Sequence, residues 1–396
     1  MIYHISDRMA SMRPSMVREI LKATSDPSVI PFAAGNPAPN AFPVEAVARI
    51  AQEILTQRPI DALQYSITEG YPPLREALKK LMAEHYGIPV PETDDLIVIS
   101  GAQQGADLAT KALCNEGDTV LCEDPSFIGN LNCFRSYHVN LAGVPMEEDG
   151  LDVAKLEEAI LREPNVRMLY IIPNFQNPTG KTTTLEKRRE IYRVCVKHNV
   201  MILEDNPYGD LRFAGEPIPS IKSFDTEDAV IYVGSFSKIL APGLRVGWTV
   251  APKPVLAKMT VGKQCADVHT NILAQMICER WLATEDLEAH IARLCAIYRD
   301  KARLMLDCID REFSPNVTHT VPEGGLFLWC TLPEGADMMD FCNRAVAEKV
   351  AVVPGIAFLA NEEAPSRSVR LNFSTPTDEG IVEGCRRLGR LTRELY

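Results

Sequence analysis

From about residue 95 to 250 this chain alternates short β-rich runs with helix-like segments, and that alternation restricts it to a mainly parallel sheet wrapped by helices. The runs span 96–100, 119–123, 166–172, 200–204, 229–234 and 246–250. Between them, 185–198 places Ile191, Val194, Cys195 and His198 on one helical stripe, and 103–114 is rich in alanine before Gly117. After about residue 291 the character changes to a long helix reaching 309, strands at 326–331 and 369–372, and a helix over 378–395. The apolar stretch 350–360, broken by Pro354 and Gly355, suits a strand and turn. We therefore expect an α/β fold with a large domain, 46–290, whose mainly parallel central sheet is flanked by helices. A smaller α+β domain is expected from 291–396 and 1–45, the latter with a mobile N-terminal segment. At 396 residues and 46% hydrophobic content, the chain can bury two cores.

The polar residues fall where this alternation gives them meaning. Ser100-Gly101, 123–125, 173–180, 205–208 and 235–238 each follow the carboxyl end of a predicted strand, the edge at which open α/β sheets bind ligands. The last of these loops, Ser235-Phe-Ser-Lys238 with Arg245 close behind, is the most specific. A lysine amine can form an imine with an aldehyde, while Ser235, Ser237 and the Arg245 guanidinium can hold a phosphate dianion. The aldehyde that carries a phosphate and works through a lysine imine is pyridoxal 5'-phosphate. Alone, this loop reads equally well as a solvated turn. Convergence of the other polar loops on the same edge removes most of the weight from that alternative.

Asp205 and Tyr208 leave the run 200–204 together. An ionised Asp205 can keep a pyridine nitrogen protonated, which makes the ring an electron sink, and Tyr208 can donate to the ring phenolate oxygen. Taken by itself, the segment also fits an Asp capping a turn before Pro207. Asn177 can donate to the same oxygen, and its Asn-Pro-Thr-Gly context is ordinary turn chemistry as well. The amides of Ala102 and Gln103 open a helix and offer an anion site. Phe127 can stack on a flat ring or belong to the core. Arg370 is suited to bidentate capture of a carboxylate if it faces a pocket, and periodicity does not decide which face that is.

A net charge of −12 without a basic run argues against a nucleic-acid partner. Eleven cysteines without Cys-x-x-Cys pairs fit reduced thiols in the cytoplasm, and no metal site is expected. The amino terminus lacks a secretory pattern and no apolar run reaches membrane-spanning length, so no membrane partner is expected.

Tyr65-x4-Gly70, Ser100-Gly-Ala-Gln-Gln104, Asn177-Pro-Thr-Gly180, Asp205-x-x-Tyr208, Ser235-x-Ser-Lys238-x4-Gly243-x-Arg245 and Arg370 together resemble the class I pyridoxal-phosphate-dependent aminotransferases of fold type I. The match runs in order from about Gly35 to Arg370, nearly the whole chain. The resemblance implies that Lys238 bonds the cofactor aldehyde and serves as general base at the substrate Cα. It pairs Asp205 with the ring nitrogen and sets Tyr208 and Asn177 on the phenolate oxygen. Phosphate falls to Ser235, Ser237, Arg245 and the amides of Ala102 and Gln103, and Phe127 stacks on the ring. Arg370 clamps the α-carboxylate with help near Gly35 and Asn177. Tyr65 reaches the phosphate of a neighbouring subunit, which implies a homodimer with active sites at the interface. Two positions depart from the family pattern: Ala102 stands where many relatives carry Ser or Thr, and Phe127 where Tyr or Trp is frequent. The backbone amide and the ring face survive both changes.

The start of the chain, Arg18-Glu-Ile-Leu-Lys22, Phe32-Ala-Ala-Gly-Asn-Pro37 and Phe42-Pro43, is most similar to the branch containing aminoadipate, kynurenine and aromatic or branched-chain aminotransferases. In some of these an arginine matching Arg18 meets acidic side chains; as a residue of an exposed amphipathic helix, Arg18 is equally read as solvated. The expected activity is ping-pong transfer of an amino group from an L-amino acid to a 2-oxo acid, with 2-oxoglutarate as acceptor. A pyridoxal-phosphate carbon-sulfur β-lyase on the same fold is the alternative. A transcription regulator carrying this domain would need a separate DNA-binding unit, and only about thirty residues precede Gly35.

Overall fold

The apolar runs become strands covered on both faces. In the computed structural model, which describes residues 3–10, 12 and 26–396, eight strands form one sheet: β1 (Asp94–Ile99), β2 (Thr119–Asp124), β3 (Asn140–Glu147), β4 (Gly150–Leu151), β5 (Val166–Ile171), β6 (Met201–Asp205), β7 (Val230–Ser235) and β8 (Gly247–Pro252). Their order is β1-β8-β7-β6-β5-β2-β3-β4. Successive side chains alternate between the faces. Tyr170, Leu203, Ile231 and Val233 share a core with Ala106 and Ala109 of the helix Ala102–Leu113. Their neighbours Leu169, Ile171, Ile202 and Val230 pack instead with Leu156 of Val153–Arg162 and Ile191 of Leu185–Lys197. Strands buried on both faces need apolar residues at every position, which is why they read as runs.

β2, β3, β5, β6 and β7 pair in parallel, and β8 runs antiparallel to both β7 and β1. β1 therefore points the same way as β7, and the loops after β1, β2, β5, β6 and β7 all open at one edge. From β2 the chain moves outward to β3, whereas from β5 it moves the other way through β6 and β7. The connections part between β2 and β5 and leave a crevice there, the switch point of an open α/β sheet.

A second, wholly antiparallel sheet contains β9 (Thr318–His319), β10 (Phe327–Thr331), β11 (Val353–Pro354) and β12 (Ser368–Asn372), in the order β11-β12-β10-β9. The segment near residue 30 is tied to this part of the molecule: Ile30 bridges Val350, and the Asn372 amide donates to Phe32 O at 2.9 Å. The helices Leu287–Glu312 and Asp378–Leu395 pack on each other beside it.

Four elements differ from the sequence expectation. β3 and β4 gave no apolar run, because β3 mixes exposed and half-buried positions around one buried residue, Val144, and contains Pro145, while β4 is only two residues long. The helix expected from 291 begins at Leu287, where Asp286 caps the Ala289 amide at 2.9 Å. His198 leaves its stripe, closing the helix Leu185–Lys197 with its ring 2.9 Å from Glu157 Oε1, while Ile191, Val194 and Cys195 are buried. Among the described residues, no helix is long and apolar enough to cross a membrane.

Candidate active site

The polar loops of the large sheet meet β12 of the small one across a cavity of about 300 Å³. Lys238, Asp205, Tyr208, Asn177 and Arg370 all line it, as do Ser235, Ser237 and Arg245. Gly35, Ala102, Gln103 and Phe127 complete the expected set around the same cavity. Tyr65 does not line it: the side chain is 82% exposed, its ring edge-on to His269 with centroids 5.9 Å apart. Arg18 lies outside the described residues.

β6 ends in two carboxylates that alternate across the sheet. Glu204 turns to the far face, where Ser220 Oγ and the amides of Ile221 and Lys222 donate to it. Asp205 turns to the cavity, where Tyr170 OH donates to its Oδ2 at 2.9 Å and Asn130 Nδ2 at 3.3 Å. Its Oδ1 is buried and accepts from no group among the described residues. Burial pushes the Asp205 pKa up to about 6, and the two hydrogen bonds oppose that rise. A carboxylate held by one oxygen, with the other free and dry, calls for a cationic N–H at the second oxygen. A protonated pyridine nitrogen meets that requirement.

Lys238 follows β7, and its Nζ donates to Gly35 O at 2.8 Å. Burial, then the positive charges of Arg370 and Arg245, lower its pKa to about 8. Near neutrality a usable fraction of this amine is therefore unprotonated, as attack on an aldehyde requires. Its Nζ lies 5.9 Å from the centroid of the Tyr208 ring. Burial raises the Tyr208 pKa to about 12, so the hydroxyl keeps its proton.

Anion-binding groups gather at one end. The helix Ala102–Leu113 begins without any side-chain cap, leaving its first amides open. Gly101 precedes it at φ +83°, and a Cβ there would stand 2.2 Å from Arg245 Nη2, so only glycine lets the guanidinium close on the turn. Ser235 Oγ donates to Ser237 Oγ at 2.8 Å and accepts from the Ser237 amide at 3.0 Å, which brings both hydroxyls together. Uncapped amides, paired hydroxyls and a guanidinium suit a phosphate dianion. With Lys238 and the unsatisfied Asp205 oxygen, these residues fit pyridoxal phosphate.

Arg370 answers the question that periodicity left open, since its side chain faces the cavity and is buried. Nη1 donates to Asn177 Oδ1 at 2.9 Å and Nη2 to Ala33 O at 2.7 Å. The guanidinium carbon lies 4.4 Å from the Phe327 ring centroid and 5.1 Å from that of Phe358. Burial lowers its pKa to about 10, which leaves it cationic at neutral pH. Asn177 spends its other end on Tyr208, with Nδ2 3.3 Å from the hydroxyl.

Sequence reasoning missed Tyr170 and Asn130, which hold Asp205, and Phe327 and Phe358, which flank Arg370. Tyr170 sits in an apolar strand and Asn130 inside a short helix, so neither had any signal distinguishing it from core or capping residues.

Residues 27–388 match the family model described as aminotransferase class I and II. The chain is 38% identical to aromatic-amino-acid aminotransferase 1 of Thermococcus litoralis over 99% of its own length and 94% of that protein. It is 41% identical to the 2-aminoadipate transaminase of Thermus thermophilus, over 97% and 95%. Among solved structures, the α-aminoadipate aminotransferase of Thermus thermophilus complexed with N-(5'-phosphopyridoxyl)-L-leucine superposes with a TM-score of 0.90 at 40% identity, over 99% of this chain and 97% of that one.

Proposed function

This chain belongs to the class I and II aminotransferases and is a pyridoxal-phosphate enzyme, and on that premise we propose a ping-pong transaminase that takes an amine from an L-amino acid and hands it to a 2-oxo acid, 2-oxoglutarate in the first instance. The observation that carries this reading is the single cavity lined by a weakly basic lysine, a buried carboxylate with one unsatisfied oxygen, and a buried arginine.

When bound, pyridoxal phosphate supplies an aldehyde that accepts the amine and a cationic ring that draws electrons from the substrate Cα. Each residue has its own task. Lys238 Nζ would hold the aldehyde, and its free amine would take and return the proton at the substrate Cα. Asp205 Oδ1 keeps the ring nitrogen protonated, with Tyr170 and Asn130 fixing the carboxylate through its other oxygen. Tyr208 OH and Asn177 Nδ2 would donate to the phenolate oxygen, and Phe127 would cover one ring face. Ser235, Ser237, Arg245 and the amides of Ala102 and Gln103 hold the phosphate, and Arg370 receives the α-carboxylate beside Gly35 and Asn177.

In this reading residues 46–290 form the cofactor-binding unit, and 1–45 with 291–396 the smaller one. Exposed Tyr65, with Ile60 at 72% and Leu63 at 73% exposure nearby, supports a homodimer in which a second copy covers this apolar segment and Tyr65 serves the partner's phosphate. Eleven free cysteines fit a cytoplasmic enzyme. The names of the relatives suggest 2-aminoadipate and aromatic donors, and the Arg18 segment is our candidate for meeting an acidic side chain.

A panel of glutamate, 2-aminoadipate, kynurenine, aromatic and branched-chain donors, each tested with 2-oxoglutarate and as a half-reaction followed by cofactor absorbance, tests the proposal. Parallel double-reciprocal lines and a stoichiometric half-reaction are expected. Release of ammonia and pyruvate with no oxo-acid acceptor would instead establish the β-lyase.

A further inference from the structure

Behind the anion-binding end of the cavity lies a polar cluster that takes no part in the chemistry above. Lys263, in the helix Lys253–Ala266, is fully buried. Its ammonium donates to Gln104 Oε1 at 2.8 Å and to both oxygens of Asp267, at 2.8 and 2.9 Å. Asp267 and Gln104 in turn converge on Ser100. Ser100 Oγ donates to Asp267 Oδ2 at 2.6 Å, and the Ser100 amide donates to Gln104 Oε1 at 2.8 Å. Gln104 Nε2 closes the ring of contacts on Asp267 Oδ2 at 2.9 Å. On its other side, Ser100 O accepts from Arg245 Nη2 at 3.4 Å.

The amide and hydroxyl of Ser100 are thus set by the Lys263 cluster, while its carbonyl touches the guanidinium already assigned to phosphate. Ser100 is the residue before Gly101, whose left-handed backbone turns the chain into the open helix amides. Asp267 is half-buried, and an ion pair with one fully buried member is a poor source of net stability, because desolvation of the lysine offsets much of the attraction. Its hydrogen bonds do fix geometry.

We propose that Lys263 is a positioning residue for the cofactor phosphate, acting through Asp267 and Gln104 to hold the Ser100-Gly101 turn so that the helix amides and Arg245 face one anion. The inference rests on the phosphate assignment made above.

Comparing pyridoxal phosphate with pyridoxal, which lacks only the phosphate, separates the two claims. The full-length chain is stripped of cofactor and titrated with each compound, following absorbance. Wild type is expected to prefer pyridoxal phosphate strongly. K263M should lose roughly tenfold or more of that preference, since it removes the donor that anchors both Asp267 and Gln104 behind the turn, while pyridoxal affinity stays near the wild-type value. A merely structural role would weaken both compounds alike, and a K263M protein that keeps the wild-type preference overturns the inference. Where K263M does not fold, the isosteric D267N carries the same expectation and the same refutation. A wild type that binds both compounds equally would instead remove the phosphate assignment itself.

Discussion

Lys238 and Arg370 line the same cavity but are held there in different ways. Lys238 leaves β7 of the large sheet, and the loops that carry its neighbours Asp205, Asn177 and Ser100 leave β6, β5 and β1 at the same edge. Arg370 stands within β12 of the small sheet and is held by Ala33 O from the amino-terminal segment and by Asn177 from the large sheet. The first wall is set by strand pairing within one sheet, β5 to β7 in parallel and β1 through the antiparallel β8, so it is ordered as soon as the sheet is. The second exists only when three chain-distant pieces close on each other, with Asn177 as a side-chain link between the two walls. The cofactor apparatus should therefore tolerate loss of the substrate clamp, whereas turnover requires both.

The hardest test of this division is K238A, which should lower turnover by on the order of 10⁴-fold or more and abolish the visible-range absorbance of the bound cofactor together. Transamination at the wild-type rate would end the assignment. R370A comes next, with an expected loss of about 2 to 5 kcal/mol in kcat/KM for amino and oxo acids alike. Cofactor titration should change only modestly in R370A, through the small part of the Lys238 pKa lowering that the Arg370 charge contributes; a large drop in cofactor affinity would show that the walls are not separable.

The pH dependence sharpens the first wall. Because the Lys238 pKa falls from 10.5 to about 8 on folding, most of the folded protein carries a free amine above that value and a shrinking fraction does below it. The rate of cofactor loading should fall about tenfold per pH unit below pH 8 and level off above it, read by rapid-mixing absorbance. Between about pH 8 and 10.5 the unfolded chain holds a proton at this lysine that the folded chain lacks, so the group makes cofactor-free stability rise with pH across that window. K238M should flatten this slope in denaturant titrations; an equal slope would place the lysine in water. The smallest effect belongs to Y208F, on the order of 0.5–1.5 kcal/mol in turnover from one lost hydrogen bond, since Asn177 still donates to the same oxygen. A collapse comparable to K238A would make Tyr208 a proton carrier rather than a hydrogen-bond donor.

How far the site could be read in the sequence follows the same division. The first wall was legible because strand, turn and polar residue are adjacent in the chain: Asp205-x-x-Tyr208 and Ser235-x-Ser-Lys238 each sit within a few residues of their strand ends. Arg370 was legible as a residue but not as a direction, since a strand presents alternate side chains to opposite faces and only packing decides which is wet. Tyr170, Asn130 and the Lys263 cluster were silent. Tyr170 and Asn130 meet Asp205 across 35 and 75 residues, and the Lys263–Asp267 pair, local in itself, meets Gln104 across about 160, and no local pattern records such a pairing. β3 escaped for a different reason, because a strand next to the sheet edge, partly exposed and containing proline, has no continuous apolar run to recognise.

The amino-acid sequence by itself determined the alternation of buried strands and helices, the edge at which the polar loops would emerge, and the family through six ordered motifs. These depend on local periodicity and on residues close together in the chain. Only the tertiary structure decided that Asp205 keeps one oxygen free while Glu204 turns away, that Arg370 faces inward against Phe327 and Phe358, and that a lysine on a separate helix braces the Ser100 turn. The physical reason is that pKa shifts, unsatisfied polar atoms and guanidinium placement arise from desolvation and from contacts between distant segments, and neither exists until the two sheets have closed on the cavity between them.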